Sequence, residues 1–242
     1  MHTSKKRKKV LILLAHPDDE LMCLNLICNL DVEMHLIFLT ASMGNLRLNE
    51  AIKVQNELLS KGLDIKVYAG LTDIQDGLIH EQFEKSTFKL YLDFVKTHDY
   101  SEIVTTAYEG GHQDHDSAFI LSFQIAKLLD IPLKIFSTYY KDGFLPYRVM
   151  KRLQSPISQR FNRFEIVSLF GSLVLIYKTQ WKTWLGLSPF VLFKYLSGKS
   201  TWLSDVEDVF EIETTQFLYS SRKRAVPDKV IEYHKKWLRE FN

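Results

Sequence analysis

Two short segments of this 242-residue chain concentrate side chains that can do chemistry: Ala15-His16-Pro17-Asp18-Asp19-Glu20 and Gly110-Gly111-His112-Gln113-Asp114-His115-Asp116. Imidazoles and carboxylates are the ligands of a catalytic zinc, which takes three from the protein and keeps a position open for water. His16 and Asp19, three residues apart at a helix entrance, can face the same way, and His115 can complete the set. Asp18 is then placed to take a proton from bound water, whose pKa a metal lowers to about 7. His112 can stabilise an oxyanion or protonate a leaving amine. Asp114 and Asp116 are suited to hold these imidazoles from behind. The same ligand types accept iron(II), cobalt or manganese as well as zinc.

Each segment alone has a plainer reading. Acidic residues at a helix start compensate the helix dipole, and a lone pair of histidines at HxxH spacing is often incidental. Their placement argues otherwise. Residues 10–15 form a continuous apolar run, as expected of a strand buried on both faces of a parallel sheet. Residues 18–30 read as a helix with Leu21, Leu24, Ile27 and Cys28 on one face. Strands follow at 34–40, 65–69, 103–107 and 133–138, helices at 46–59, 84–96 and 116–129, and a loop rich in Asp and Gly at 70–80. This βα alternation predicts an α/β fold, a doubly wound, Rossmann-like, mostly parallel sheet of order 3-2-1-4-5 with helices on both faces. In that order strands one and four are neighbours. Both segments therefore meet at the carboxyl ends of adjacent strands, where such sheets bind ligands. His2, His35, His80, His98 and His234 read as surface or loop residues, with His80 near the crevice.

The predicted organisation is a basic arm (1–9), a Rossmann-like core (10–142) and an aromatic-rich C-terminal extension packed on it (143–242). Within the extension, 165–177 reads as a strand or buried hairpin and 228–240 as a closing amphipathic helix carrying Val230, Ile231, Trp237 and Leu238. The aromatic segment 181–202 has two readings, a cover for the sheet or a wall for a sugar or lipid carrier. Hydrophobic residues at 46% and charged residues at 25% are ordinary globular usage and exclude wholesale disorder. A net charge of +2 gives no bulk reason to expect nucleic acid. No apolar run reaches the roughly 18–20 residues of a membrane span, although peripheral membrane contact stays open. Lys5-Lys6-Arg7-Lys8-Lys9 precedes too short an apolar run to be a signal peptide and reads as a solvated arm. Arg222-Lys223-Arg224 is a second basic cluster that could meet phosphates. With only Cys23 and Cys28, no disulfide framework is expected, and a reducing, cytoplasmic location is the default.

His16-Pro17-Asp18-Asp19-Glu20, the Arg47–Glu50 pair and Gly110-Gly111-His112-Gln113-Asp114-His115 together resemble the PIG-L/LmbE-like family of zinc-dependent N-deacetylases over about residues 8–140. The resemblance implies removal of the acetyl group from an N-acetylglucosamine-type conjugate, whose carrier can be a lipid, a nucleotide or another group. It implies His16, Asp19 and His115 as zinc ligands, Asp18 as general base and His112 as oxyanion stabiliser or acid. Arg47 matches an arginine that contacts the sugar, and Asp76 an aspartate that binds its hydroxyls. Two departures stand out. Gln113 replaces the proline of the common His-Pro-Asp-His element. Gly110 occupies the place of a tyrosine, with Tyr108 displaced by two residues as a candidate for the oxyanion. Tyr177-Lys178-Thr179-Gln180 is similar to a segment that approaches the site in some relatives. Two other functions fit the same residues: a zinc amidase or deacylase for a non-sugar N-acyl substrate, and a metal-stabilised sugar-binding module without turnover.

Overall fold

The computed structural model describes residues 8–29, 32–40, 46–68, 70–140, 148–151, 161–198, 203–206, 212, 217 and 225–241. Residues 5–7 of the basic arm, the 222–224 cluster, Trp202 and the boundary at 142 lie outside them.

The residues of β1 (Lys9–Leu14) show why it is the central strand. Its side chains alternate between two apolar layers, Val10, Ile12 and Leu14 on one face and Leu11 and Leu13 on the other. All are almost fully enclosed, and burying each such side chain stabilises the fold by about 1.5–3 kcal/mol. Around it stand β2 (Glu33–Phe38), β3 (Ile65–Tyr68), β4 (Glu102–Thr106) and β5 (Leu133–Phe136), all parallel, in the order β3-β2-β1-β4-β5. The predicted order therefore holds. A separate hairpin pairs β6 (Tyr139–Tyr140) with β7 (Arg148–Val149). A two-residue strand from the extension, β8 (Ser204–Asp205), adds antiparallel to β5 at the edge of the main sheet.

Helices cover both faces. One layer holds α1 (Leu24–Asn29), α2 (Leu46–Ser60), α6 (Arg163–Val174) and α7 (Trp181–Leu196). The other holds α4 (Lys85–His98), α5 (Gln113–Leu129) and α8 (Pro227–Glu240), with the single turn α3 (Ile79–Gln82) beside them. No helix among the described residues is long and apolar enough to cross a membrane.

Four expectations are corrected. Most of the 165–177 segment is helical, within α6 (Arg163–Val174), and not a strand or hairpin. Its β-branched and aromatic residues suit a strand locally, but Asn162 and Glu165 close a capping box, and Ile166, Leu169, Phe170 and Leu173 bury one helical face. The 18–30 segment is not one helix. It opens as a 3-10 turn (Asp19–Cys23) before α1, and α3 occupies the end of the expected 70–80 loop. Among the histidines read as surface or loop, His35, His80 and His234 are buried. His35 points off a central strand toward Tyr100 and Glu33.

His234 has no exposure at all and bridges two elements, its Nε2 meeting Ser117 Oγ at 2.9 Å and its Nδ1 the Tyr108 hydroxyl at 3.2 Å. Burial, aided by His80, pushes its pKa down to about 3 from an ordinary 6.5. Between those values the unfolded chain binds a proton that the folded chain does not, so this group erodes stability as pH falls from 6.5 toward 3. His234→Gln keeps polar contacts and removes the titration. Urea unfolding at stepped pH should therefore show a flatter acid-side loss for the variant than for the parent.

Candidate metal centre and cavity

Directly after β1 the chain makes a turn that an ordinary residue resists. Asp18 has φ 105°, a conformation that costs a non-glycine residue on the order of 1–3 kcal/mol unless its surroundings over-determine it. Here they do. Its backbone N–H donates to Glu20 Oε2 at 2.9 Å, Arg47 Nη2 donates to the Pro17 carbonyl at 3.0 Å, and the Asp18 carboxylate is held at both oxygens. Arg47 Nη2 donates to Oδ1 at 2.6 Å and the Trp184 indole Nε1–H to Oδ2 at 3.0 Å. Glu20, itself buried, accepts a short hydrogen bond from the Tyr177 hydroxyl. Its burial, partly offset by that bond and reinforced by the Asp18 charge, raises its pKa to about 8.

Asp19 turns the other way. Its Oδ1 accepts from His115 Nε2 at 3.1 Å, and its Oδ2 accepts the His16 backbone N–H at 2.8 Å and lies 3.5 Å from His16 Nδ1. Each imidazole is held on its far side. His16 Nε2 donates to Asp114 Oδ2 at 2.8 Å and lies 3.0 Å from Asp76 Oδ1, and His115 Nδ1 meets Thr138 Oγ1 at 3.1 Å. Asp114, fully buried, also accepts from the Gly77 and Ile79 backbone N–H groups at 2.5 and 3.2 Å. That ties the 76–79 turn to the site. Gln113 adds a bond no proline could make there, Nε2 to the Gly77 carbonyl at 3.3 Å. Asp116 instead accepts from the backbone N–H groups of Glu109 and Gly110 at 3.0 and 3.1 Å, shaping the loop before α5.

His112 accepts the Asp114 backbone N–H on Nδ1 at 3.2 Å. Since that donor is unambiguous, the proton of the neutral ring sits on Nε2, making it a hydrogen-bond donor.

Two sets of donor atoms lie within 4.8 Å of one another: His16, His112 and His115, and His16, Asp76, His112 and Asp114. Asp19 touches the first set through both His16 and His115. This donor chemistry fits a divalent ion. Burial alone would lower the His16 pKa, yet Asp114, Asp19 and Asp76 outweigh it and raise it well above the ordinary value. Surroundings that favour a proton so strongly also favour a metal cation. Burial alone would raise Asp19, but His115 and His16 hold it well below the usual carboxylate range. Asp18 differs. Burial raises it, Arg47 pulls it back, the Asp19 charge adds to the rise, and it comes to about 6.

These groups open on a cavity of about 600 Å³, lined on one side by His16, Asp18, Asp19, Arg47, Asp76 and His112, and on the other by Gln180, Thr183, Trp184 and Leu187. The expected site residues are thus brought together, except that Asp116 braces a loop and Tyr108 bonds His234. Arg47 spans Asp18 and Asp76, donating to Asp76 Oδ2 at 2.7 Å. The sequence pointed to the 181–202 and 177–180 segments only as a candidate wall or approach, and not to Thr138 or to the Trp184–Asp18 and Tyr177–Glu20 pairings, because those partners stand in distant parts of the chain. Tyr177-Lys178-Thr179-Gln180 does reach the site, Tyr177 through Glu20 and Gln180 at the cavity wall.

No family model and no curated protein matches the chain by sequence. Solved structures match its fold. The A40926 pseudoaglycone deacetylase Dbv21 is 14% identical with a TM-score of 0.55, over 85% of this chain and 100% of that one. The teicoplanin deacetylase Orf2, in a zinc-inhibited form, is 13% identical at TM-score 0.53, over 84% and 100%. The conserved protein TT1542 from Thermus thermophilus is 16% identical at TM-score 0.53, over 86% and 98%. The chain has the fold of these proteins.

Partners that orient a ligating histidine typically contribute 10–100-fold to metal affinity. Asp114→Asn should weaken zinc binding by that factor in a chelator competition, whereas Asp18→Asn should bind zinc about as tightly as the parent. His16→Ala should lose the ion.

Proposed function

We propose that the chain is a divalent-metal-dependent hydrolase that removes the N-acetyl group from an N-acetylglucosamine-type conjugate, acting in the cytoplasm. One observation carries this reading. A buried carboxylate tuned to about 6 stands in a cavity wall beside a His–Asp–His cluster whose imidazoles are held from behind. His16, Asp19 and His115 would hold the ion. Once bound, a zinc ion supplies Lewis-acid polarisation of the acetyl carbonyl and a more acidic water.

The chain's own residues do the rest. Asp18, ionised above about pH 6 and still basic near neutrality, takes the proton of the attacking water. Arg47 and Trp184 fix the direction of its lone pairs. His112, with its proton on Nε2, donates to the developing oxyanion. The amide C–N bond breaks, the amine leaves with a proton and acetate is released. Asp76, half-exposed and braced by Arg47, suits sugar hydroxyls at the cavity rim. Asp114 keeps His16 oriented and Asp116 keeps the 109–110 turn in place. A 600 Å³ cavity is within the usual size for a small-molecule site. Two of the structural neighbours carry the name deacetylase, which supports the same reaction class here.

Acetate release from a panel of free, inositol-linked, nucleotide-linked and lipid-linked N-acetylglucosamine should depend on added zinc and fall by about 10²–10⁴-fold in Asp18→Asn. Metal-loaded protein with no release from any member would overturn this reading. The sign of a second test follows from the carboxylate's neighbours. Arg47 holds the Asp18 pKa down, so Arg47→Met should move the acid limb of the pH–rate profile upward from about 6. Trp184→Phe, which removes a donor to the ionised form, should move it in the same direction by less.

A further inference from the structure

The face of α7 turned away from the core is apolar. Trp181, Leu185, Phe193 and Leu196 are 58%, 71%, 67% and 47% exposed, while Trp184, Val191 and Tyr195 are buried on the opposite side. At 100° per residue the four exposed side chains fall in one arc, with Lys182 among them. A helix that buries apolar side chains on one side and leaves a run of large apolar ones uncovered on another is shaped to meet a second apolar phase.

Charge selects which phase. Between Glu165 and Asp205 the sequence contains no acidic residue, but it contains Lys178, Lys182, Lys194 and Lys199. Lys178 and Lys182 are exposed, and the Lys182 ammonium lies 5.6 Å from the Trp181 ring centre. A second copy seated on this face by two-fold symmetry would bring lysines toward lysines with no carboxylate on the helix to pair them. An anionic headgroup layer pairs them while the aromatic and leucine side chains enter the acyl boundary, the pattern of interfacial helices.

We infer that α7 docks the protein on an anionic phospholipid surface, lying in the plane of the interface. The flank of the same helix that bears Thr183, Trp184 and Leu187 lines the cavity. Docking would set the outer face on the headgroups and leave the cavity flank turned toward the protein, so the surface stands independently of the deacetylase reading.

The test is co-sedimentation of the full chain with vesicles of equal parts phosphatidylglycerol and phosphatidylcholine, against vesicles of phosphatidylcholine alone. Binding to the anionic vesicles should be at least ten-fold stronger, weaken with salt, and shift tryptophan emission to the blue. Leu185→Asp/Phe193→Asp should bind at least ten-fold more weakly with an unchanged unfolding midpoint. Lys178→Glu/Lys182→Glu should erase the preference for anionic lipid. Equal or undetectable binding to both vesicles overturns the proposal. So does a dimer in solution that Leu185→Asp/Phe193→Asp converts to monomer. No arm reads acetate, so Asp18→Asn protein serves equally well, and failure of the deacetylase reading leaves this result standing or falling by itself.

Discussion

A carboxylate removed from water must have its charge answered by groups already in place, and the Asp18 carboxylate sets that demand for this protein. It sits at the end of the central strand, in a left-handed turn, followed by two more buried carboxylates, Asp19 and Glu20. Arg47 from α2 and Trp184 from α7 each donate to one of its oxygens. Removing one partner of such a buried pair typically costs about 3–5 kcal/mol. The turn, the second helix and the extension are therefore coupled through one side chain, and the fold beyond the sheet is arranged around answering it.

The same logic separates the three adjacent acids. Asp18 has donors that orient it but leave burial dominant, so it titrates near neutrality. Asp19 faces two imidazoles and stays charged. Glu20 faces a tyrosine and the Asp18 backbone, and burial drives it toward the protonated form. Three consecutive carboxylates thus acquire three different proton affinities from their neighbours alone. Such divergence suits a site in which one group moves a proton, one holds a cation and one keeps the turn in shape.

The extension is part of this arrangement. Trp184 and Tyr177 reach the acids from one side, and Gln180 and Thr183 close the cavity wall. On its outer side α7 keeps an apolar surface that the core does not use. One helix thus serves the site with its inner flank and faces outward with the other.

Much of the core was legible in the chain. A continuous apolar run in residues 10–15 marks a strand buried on both faces, and βα alternation dictates the parallel pairing. The position of His16, Asp18, Asp19, His112 and His115 at two neighbouring strand ends follows from that order, since local pattern and topology agree. The capping box at Asn162 and Glu165 was equally local, and it outweighed the β-branched composition that suggested a strand. What local pattern cannot carry is which distant side chain answers a buried charge. Trp184 stands 166 residues from Asp18 and Tyr177 stands 157 from Glu20, and nothing in their spacing announces a partner. The sequence by itself determined the sheet, its order and the chemistry gathered at its edge, because those depend on periodicity and residue type. Only the tertiary structure decided which acid is tuned toward neutrality, which histidines are buried and which face of α7 is left uncovered. Those depend on desolvation, and desolvation is set by everything that packs nearby.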